Sequence, residues 1–263
     1  MYSFSYQKPA SVADAAAILA GDEDAKLMAG GQTYIPTLKQ RLAQPTTLVD
    51  ISGIDGLSGI TEENGGVRIG AMTRHAEVAS SDVVKRVIPA LADLAEGIGD
   101  PQVRNMGTLG GSISNNDPAA DYPGGLVGLG ATVQTNKRDI AADDFFTGMF
   151  ETALEQDEIV TSVFFPAASK AAYAKFPNPA SRYAIVGVFV AQTGSGVRVA
   201  VTGAGASVFR ATSMEQALTS NFSAGAIDGT AVAADELNED IHASADYRAH
   251  LVKVMAKRAV AAC

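Results

Sequence analysis

Cysteine is nearly absent from this 263-residue sequence: the single one, Cys263, is the last residue, and tryptophan is missing altogether. One cysteine excludes an intramolecular disulfide, a cysteine-based zinc site and an iron–sulfur cluster held by this chain alone. It also fits a cytoplasmic location, where thiols stay reduced. The three histidines show no metal-ligand spacing. Aromatic residues, at 6%, are too few to predict a stacking surface for bases or sugars.

Positive charge and long apolar runs are also scarce. The sequence has 20 Lys and Arg against 29 Asp and Glu, a formal charge of −9 that disfavours binding to a phosphate backbone. No apolar run approaches the ~20 residues needed to span a bilayer, and the polar start of the chain lacks the layout of a signal peptide. Hydrophobic residues at 47% are enough for a sizeable core. The length fits one large domain or two modest ones.

Glycine, in contrast, is abundant, and it first clusters at Leu27–Thr33. A predicted strand, Lys26–Ala29, runs into Gly30 and Gly31, and a predicted helix follows over roughly residues 35–42. Adjacent glycines let the backbone bend sharply, so that consecutive N–H groups point into a hollow that suits a phosphate. The alternative is a plain turn with a helix N-cap. The turn lacks the dinucleotide fingerprint G-x-G-x-x-G, and no Walker motif occurs, which disfavours a nicotinamide dehydrogenase and a P-loop kinase.

A second glycine pair, Gly110 and Gly111, lies in a non-periodic stretch over residues 100–125 that is too long for a plain connection. Asp117 and Asp121 follow it as acceptors suited to ribose hydroxyls. Two such hollows on one chain can hold the two phosphates of a dinucleotide, whereas the alternative is an ordered structural loop. Short hydroxyl and amide side chains surround the second pair: Thr108, Ser112, Ser114, Asn115 and Asn116.

Hydrophobic periodicity predicts regular structure in the rest of the chain. A single amphipathic helix is expected over Asp82–Ile98, after a shorter helix capped by Thr73. Two strands, Arg182–Gln192 and Val197–Thr202, are expected to form a hairpin. The segment around Pro166–Pro179, rich in Ala, Lys and Pro, is a candidate domain boundary.

Two long motifs in order, A-G-G-Q-T at 29–33 and G-D-P-Q-V-R-N-M-G-T-L-G-G at 99–111, carry a family resemblance, which S-R-Y-A-I-V-G-V at 181–188 extends. The chain resembles the FAD-binding medium subunits of the molybdenum hydroxylases, the family of aerobic carbon monoxide dehydrogenase and xanthine dehydrogenase. The resemblance implies an α+β fold of the vanillyl-alcohol-oxidase (PCMH) type. It places an FAD-binding domain at residues 1–170, with subdomains at about 1–52 and 53–170, and a small C-terminal α+β domain of the carbon monoxide dehydrogenase flavoprotein type at 171–263.

The resemblance also implies non-covalent FAD and a set of residues that bind it. Asp121 matches a ribose-binding aspartate, Asn115 a position near the adenosine, Lys175 a lysine near the flavin and Tyr183 an aromatic residue beside the isoalloxazine. Without the family analogy, Lys175 is equally a solvated lysine and Tyr183 a strand tyrosine in the core. No catalytic residue or metal ligand is implied in this chain. The implied lining of the two turns comprises Leu27, Met28, Ala29, Gly30, Gly31, Gln32, Thr33, Tyr34, Thr108, Leu109, Gly110, Gly111, Ser112 and Ser114.

The function that the resemblance implies is that of an oxidoreductase flavoprotein subunit. It would pass electrons from the iron–sulfur clusters of a small partner subunit through FAD to an external acceptor, with molybdopterin in a large partner subunit and the whole assembled as a dimer of heterotrimers. A stand-alone FAD-dependent oxidase or dehydrogenase is the main alternative, although the sequence shows no clear base for it. An assembly protein that has lost FAD is a third hypothesis, which the intact glycine pairs disfavour.

Overall fold

The computed structural model describes residues 1–263, and three hydrophobic clusters organise the chain. The first cluster lies under a parallel sheet of order β1-β3-β2. Ser11 caps the first helix by accepting from the Asp14 N–H, at 3.1 Å, and its own hydroxyl donates to the Asp14 carboxylate. The elements of this unit are β1 (Ser5–Gln7), α1 (Val12–Gly21), β2 (Lys26–Met28), α2 (Tyr34–Lys39) and β3 (Thr47–Asp50).

The second and largest cluster lies between an antiparallel sheet of order β4-β5-β10-β6-β7 and a group of short helices. Two further short strands, β8 and β9, form a separate hairpin. The elements are β4 (Ile60–Glu63), β5 (Gly66–Gly70), α3 (His75–Ser80), α4 (Asp82–Val87), α5 (Pro89–Glu96), α6 (Pro101–Arg104), α7 (Leu109–Asn115), α8 (Tyr122–Leu129), β6 (Thr132–Thr135), β7 (Asp139–Ala141), α9 (Ala142–Phe145), β8 (Phe146–Gly148), β9 (Glu151–Thr152) and β10 (Val160–Pro166).

The helices of this unit differ from the sequence expectations. The single helix expected over Asp82–Ile98 is two helices, because Pro89 has no N–H to donate and its ring disfavours a helical residue before it. Ile88 accordingly leaves the helical region, with φ −140° and ψ 70°, and Pro89 takes the first position of α5. Thr73 does not cap α3 but exchanges hydrogen bonds with the Gly59 backbone, and Arg74 is the N-cap.

The stretch over residues 100–125, expected to be non-periodic, contains α6, α7 and the start of α8. Every residue of α8 is buried, and its glycines allow the close approach of other elements. A Cβ on Gly128 would lie only 2.6 Å from the Phe189 ring. Packing of this kind decides the backbone here, although glycine-rich composition disfavours a helix on its own.

The third unit is an antiparallel sheet of order β11-β12-β13-β14 covered by the C-terminal helix. The expected hairpin is confirmed, with Thr193 opposite Gly196 at its end. Ser244 caps the last helix. The segment around Pro166–Pro179, a candidate domain boundary in the sequence, is mostly a strand. The elements are β11 (Lys170–Pro177), β12 (Ala184–Thr193), β13 (Gly196–Thr202), β14 (Phe209–Arg210), α10 (Thr212–Ser220), a 3-10 helix (Ala224–Ile227) and α11 (Ala245–Ala262).

Strand β12 joins the second and third clusters. Side chains alternate across a strand, so Val186, Val188 and Val190 face the cluster under α11. Phe189 and Ala191 face the other way and belong to the cluster of the preceding unit. The C-terminal sheet is therefore packed on both faces, and β11 lies against α5, which holds the third unit next to the glycine-rich segments. None of the helices combines the length and apolar character needed to cross a bilayer.

Candidate functional site

A cavity of ≈ 430 Å³ lies where the two glycine-rich turns meet. The first turn comprises residues 27–34, between β2 and α2, and the second comprises residues 108–112, at the start of α7. The cavity volume is in the usual range of ligand pockets, about 300–1,000 Å³. Of the eighteen residues expected to bind a cofactor, all but Leu109 and Lys175 line it.

Gly30 brings the backbones of the two segments into contact. A Cβ at this position would lie 2.0 Å from the Met106 carbonyl oxygen and 2.9 Å from the Gly107 Cα. Gly31 has φ +70°, in the left-handed region that favours glycine. The first glycine is therefore required by the neighbouring segment, and the second by the bend of the turn itself.

The first turn presents free hydrogen-bond donors. The backbone N–H groups of four consecutive residues, 30–33, donate no hydrogen bond within the chain, and all four residues line the cavity. Unpaired N–H groups are costly unless water or a ligand accepts from them. A run of converging N–H groups is the arrangement that binds a phosphate through the backbone.

Four of the five backbone N–H groups of the second turn, those of residues 109–112, already donate within the chain. The N–H groups of Leu109 and Gly110 donate to the carbonyl oxygens of Thr73 and Ala71, at 3.0 and 2.7 Å. The Gly111 N–H donates to the Thr108 hydroxyl, which caps α7. Leu109 is fully buried beneath the turn and does not reach the cavity. The second turn thus offers the cavity mainly side chains, with Thr108 keeping the one unpaired N–H. The lining side chains are those of Thr108, Ser112, Ser114 and Asn115.

Asp121 lies at the far wall of the cavity with its carboxylate almost fully buried. Tyr173 donates its hydroxyl to Asp121 Oδ1 at 2.5 Å, and Lys175 Nζ lies 3.0 Å from the same oxygen and 3.1 Å from Oδ2. Burial raises the pKa of Asp121, while the Lys175 ammonium and the Tyr173 hydroxyl act against that rise. Burial and the Asp121 carboxylate raise the pKa of Tyr173 far above its usual value, so the phenol stays protonated and donates.

Without the family analogy, the sequence equally predicted a solvated Lys175 and a Tyr183 packed in the core. The structure shows neither. Lys175 is not a solvated lysine, because its side chain is only 11% exposed and its ammonium also donates to the Gly97 carbonyl at 2.7 Å. It contacts the cavity only through Asp121. Tyr183 is not a core tyrosine, because half of it is exposed. It lies at the rim of the cavity in the loop before β12.

Two residues at the site gave no signal in the sequence reasoning. His75, a helix residue without a metal-ligand partner, is buried and lines the cavity. Burial, and then the nearby Arg104, lower the pKa of His75 to about 4. Tyr173 was not singled out, although its spacing of two from Lys175 places both side chains on one face of β11.

Comparisons with known proteins cover the whole chain. A family model described as "FAD binding domain in molybdopterin dehydrogenase" matches residues 2–168, and one described as "CO dehydrogenase flavoprotein C-terminal domain" matches residues 171–263. The medium subunit of nicotine 6-hydroxylase from Paenarthrobacter nicotinovorans is 36% identical, over 97% of this chain and 95% of the relative. The medium chain of carbon monoxide dehydrogenase from Hydrogenophaga pseudoflava is also 36% identical, over 98% and 96%.

The structural comparison agrees with the sequence comparison. A crystal structure of a Cu,Mo-containing carbon monoxide dehydrogenase includes a chain that superposes with a TM-score of 0.90 at 34% identity. The match covers 99% of this chain and 97% of that one. The expected α+β fold, with a PCMH-type domain followed by a small C-terminal domain, is therefore confirmed.

Proposed function

The chain belongs to the family of FAD-binding medium subunits of the molybdenum hydroxylases, and from that membership we propose that its cavity holds the diphosphate of non-covalent FAD. The protein is the flavoprotein subunit of a molybdenum-containing oxidoreductase. Bound FAD supplies the redox chemistry that links the iron–sulfur clusters of a partner to an external acceptor. The chain's own task is to hold and orient that cofactor.

The meeting of the two glycine turns at one cavity carries this proposal. The free N–H groups of residues 30–33 are matched to the diphosphate, because anions are bound well by converging backbone donors. Gln32 and Thr33 add side-chain donors on the same turn. From the second turn, the hydroxyls of Thr108, Ser112 and Ser114 extend this polar wall, since the Thr108 oxygen accepts from the Gly111 N–H and its O–H stays available as a donor. The chemistry of the donor set therefore fits the group.

The other expected contacts complete the assignment. Asp121 accepts from a cofactor hydroxyl, Asn115 contacts the adenosine side, and Tyr183 covers part of the isoalloxazine at the rim of the cavity. Lys175 acts through Asp121. Leu109 supports the second turn from below and does not touch the cofactor. The remaining lining of the first turn, Leu27, Met28, Ala29 and Tyr34, shapes the cavity wall.

The named relatives are medium subunits or chains of larger enzymes, and the partners of this chain are proposed in the same pattern. We propose a small subunit with 2Fe-2S clusters and a large subunit with molybdopterin, in a dimer of heterotrimers located in the cytoplasm. The two domains, residues 1–170 and 171–263, are proposed to move as one unit, because Asp121 pairs with Lys175 across their boundary.

Purification tests the proposal in two steps. The chain expressed with ample riboflavin should carry one FAD, measured by the flavin absorption spectrum and by release of the cofactor on acid denaturation. A colourless protein that cannot be reconstituted would contradict the proposal. Co-expression with its partner subunits should yield iron and molybdenum in the same peak, whereas flavin without either metal would favour the stand-alone oxidase.

A further inference from the structure

Tyr173 contacts a residue of the cavity wall without lining the cavity itself. Its hydroxyl donates to Asp121 Oδ1 at 2.5 Å, and its ring packs on Phe189, with the ring centroids 6.2 Å apart. An ionised carboxylate accepts about four hydrogen bonds. Tyr173 and Lys175, neither of which lines the cavity, donate to the carboxylate and fix it, and acceptor capacity is left on Asp121, which does line the cavity.

A glycine in the neighbouring strand makes room for this hydroxyl. Gly187 lies inside β12, where a glycine normally weakens a strand and often marks a close approach. A Cβ on Gly187 would lie 2.2 Å from the Tyr173 hydroxyl oxygen and 2.9 Å from Cζ. The absence of that carbon lets the hydroxyl lie where it reaches Asp121.

We propose that Tyr173 is a positioning residue of the FAD site, which holds the Asp121 carboxylate so that it accepts from a ribose or ribityl hydroxyl of the cofactor, and that Gly187 is required for this contact. The proposal rests on the function proposed above. It assigns a role to two residues of the C-terminal domain in binding a cofactor whose diphosphate lies in the preceding domain.

The full chain offers a matched control for the test. Tyr122, next to Asp121 in sequence, has a buried hydroxyl with no hydrogen-bond partner. Replacing an unpaired buried hydroxyl by hydrogen costs no interaction. Tyr173→Phe and Tyr122→Phe therefore remove the same atom from two tyrosines, and only the first removes a donor to Asp121.

FAD dissociation constants measured by fluorescence on the apo chain test the proposal, with thermal unfolding of each apo variant as a check on folding. Tyr173→Phe should weaken FAD binding about ten-fold, because the Asp121 carboxylate loses the donor that fixes it and must be ordered when the cofactor binds. Tyr122→Phe should stay within about two-fold of the wild type. Gly187→Ala keeps the Tyr173 hydroxyl but displaces it, and should weaken FAD binding to a similar extent. In an Asp121→Ala background, Tyr173→Phe should have no further effect, since it acts through the carboxylate.

Competition with ADP and with FMN separates the two sources of the hydroxyl. The half of the cofactor that contacts Asp121 should lose affinity in Tyr173→Phe, and the other half should not. Three results would overturn the role of Tyr173. The two tyrosine variants could bind FAD with equal affinity, or the losses of affinity in Tyr173→Phe and Asp121→Ala could add. Alternatively, Tyr173→Phe could bind both ADP and FMN as tightly as the wild type does. Failure of the wild-type chain to bind FAD would instead overturn the function on which this role rests.

Discussion

The two glycine turns look alike in sequence and differ in physical role. In the first turn, the N–H groups of residues 30–33 donate no hydrogen bond within the chain, and all four residues line the cavity. In the second, the N–H groups of residues 109–111 are already bonded within the chain. A Cβ on Gly110 would lie 2.6 Å from the Ala71 Cβ, so that glycine is needed for packing. Paired glycines therefore mark a ligand-binding backbone in one place and a tightly packed helix start in the other.

The strongest test of this comparison is Gly30→Ala. The new Cβ would meet the Met106 carbonyl at 2.0 Å, which only a backbone shift can relieve. We expect FAD affinity to fall by more than about 100-fold and the free energy of unfolding of the apo chain to fall by about 3 kcal/mol. Fluorescence titration and chemical denaturation measure the two. Wild-type affinity in this variant would show that the contact between the turns is dispensable.

Gly110→Ala should affect stability more than binding. Its Cβ would crowd Ala71, at 2.6 Å from the side chain and 2.9 Å from the carbonyl oxygen. Overpacking of this kind costs about 2 kcal/mol of unfolding free energy, and the folded fraction should keep FAD affinity within about ten-fold. A variant that unfolds like the wild type but binds no FAD would reverse the assignment of the second turn.

His75, which lies beside the segment leading into the second turn, makes the stability of the chain sensitive to pH. It lies against Gly107, and burial lowers its pKa to about 4, below the unfolded value of 6.5. The unfolded state binds the proton more tightly, so stability is greatest above pH 6.5 and falls as the pH drops from 6.5 towards 4. Between pH 7 and pH 5 the loss from this group is about 2 kcal/mol. Chemical denaturation of the apo chain at pH 7 and pH 5 measures this loss of unfolding free energy. The His75→Asn variant should not show it.

The smallest expected effects come from a pair of threonines, one in each turn. Thr108 caps α7, whereas the Thr33 side chain makes no capping hydrogen bond at α2. Thr108→Ala should cost about 1 kcal/mol of stability. Thr33→Ala should leave the unfolding free energy of the apo chain within about 0.5 kcal/mol of the wild type and should weaken FAD binding a few-fold. Equal losses of stability in the two variants would contradict the difference between the turns.

Local chemistry made the first turn predictable from sequence, and non-local packing hid much of the second. A strand, two glycines and a helix start are encoded within residues 26–39. The helices of the second region form because Gly110 packs on Ala71 and Gly128 on Phe189, contacts with residues far away in sequence. Composition alone therefore predicted a loop where the structure has helices.

The remaining differences between the sequence predictions and the structure also have either a local or a non-local cause. The break between α4 and α5 was encoded locally by Pro89, and apolar periodicity alone overlooked it. The network of Tyr173, Asp121 and Gly187 spans more than fifty residues and two domains, so no local pattern could indicate it. Nor could the sequence show which turn keeps its N–H groups free, since that depends on where Ala71 and Thr73 place their carbonyl oxygens.

A crystal structure of the chain with FAD would show whether the backbone of the first turn binds the diphosphate. We expect the diphosphate oxygens to accept from N–H groups of residues 30–33, with N···O distances of about 2.7–3.2 Å. The N–H groups of residues 109–111 should keep their bonds to Thr73, Ala71 and Thr108. A diphosphate bound outside this cavity, with the N–H groups of residues 30–33 left to solvent, would contradict it.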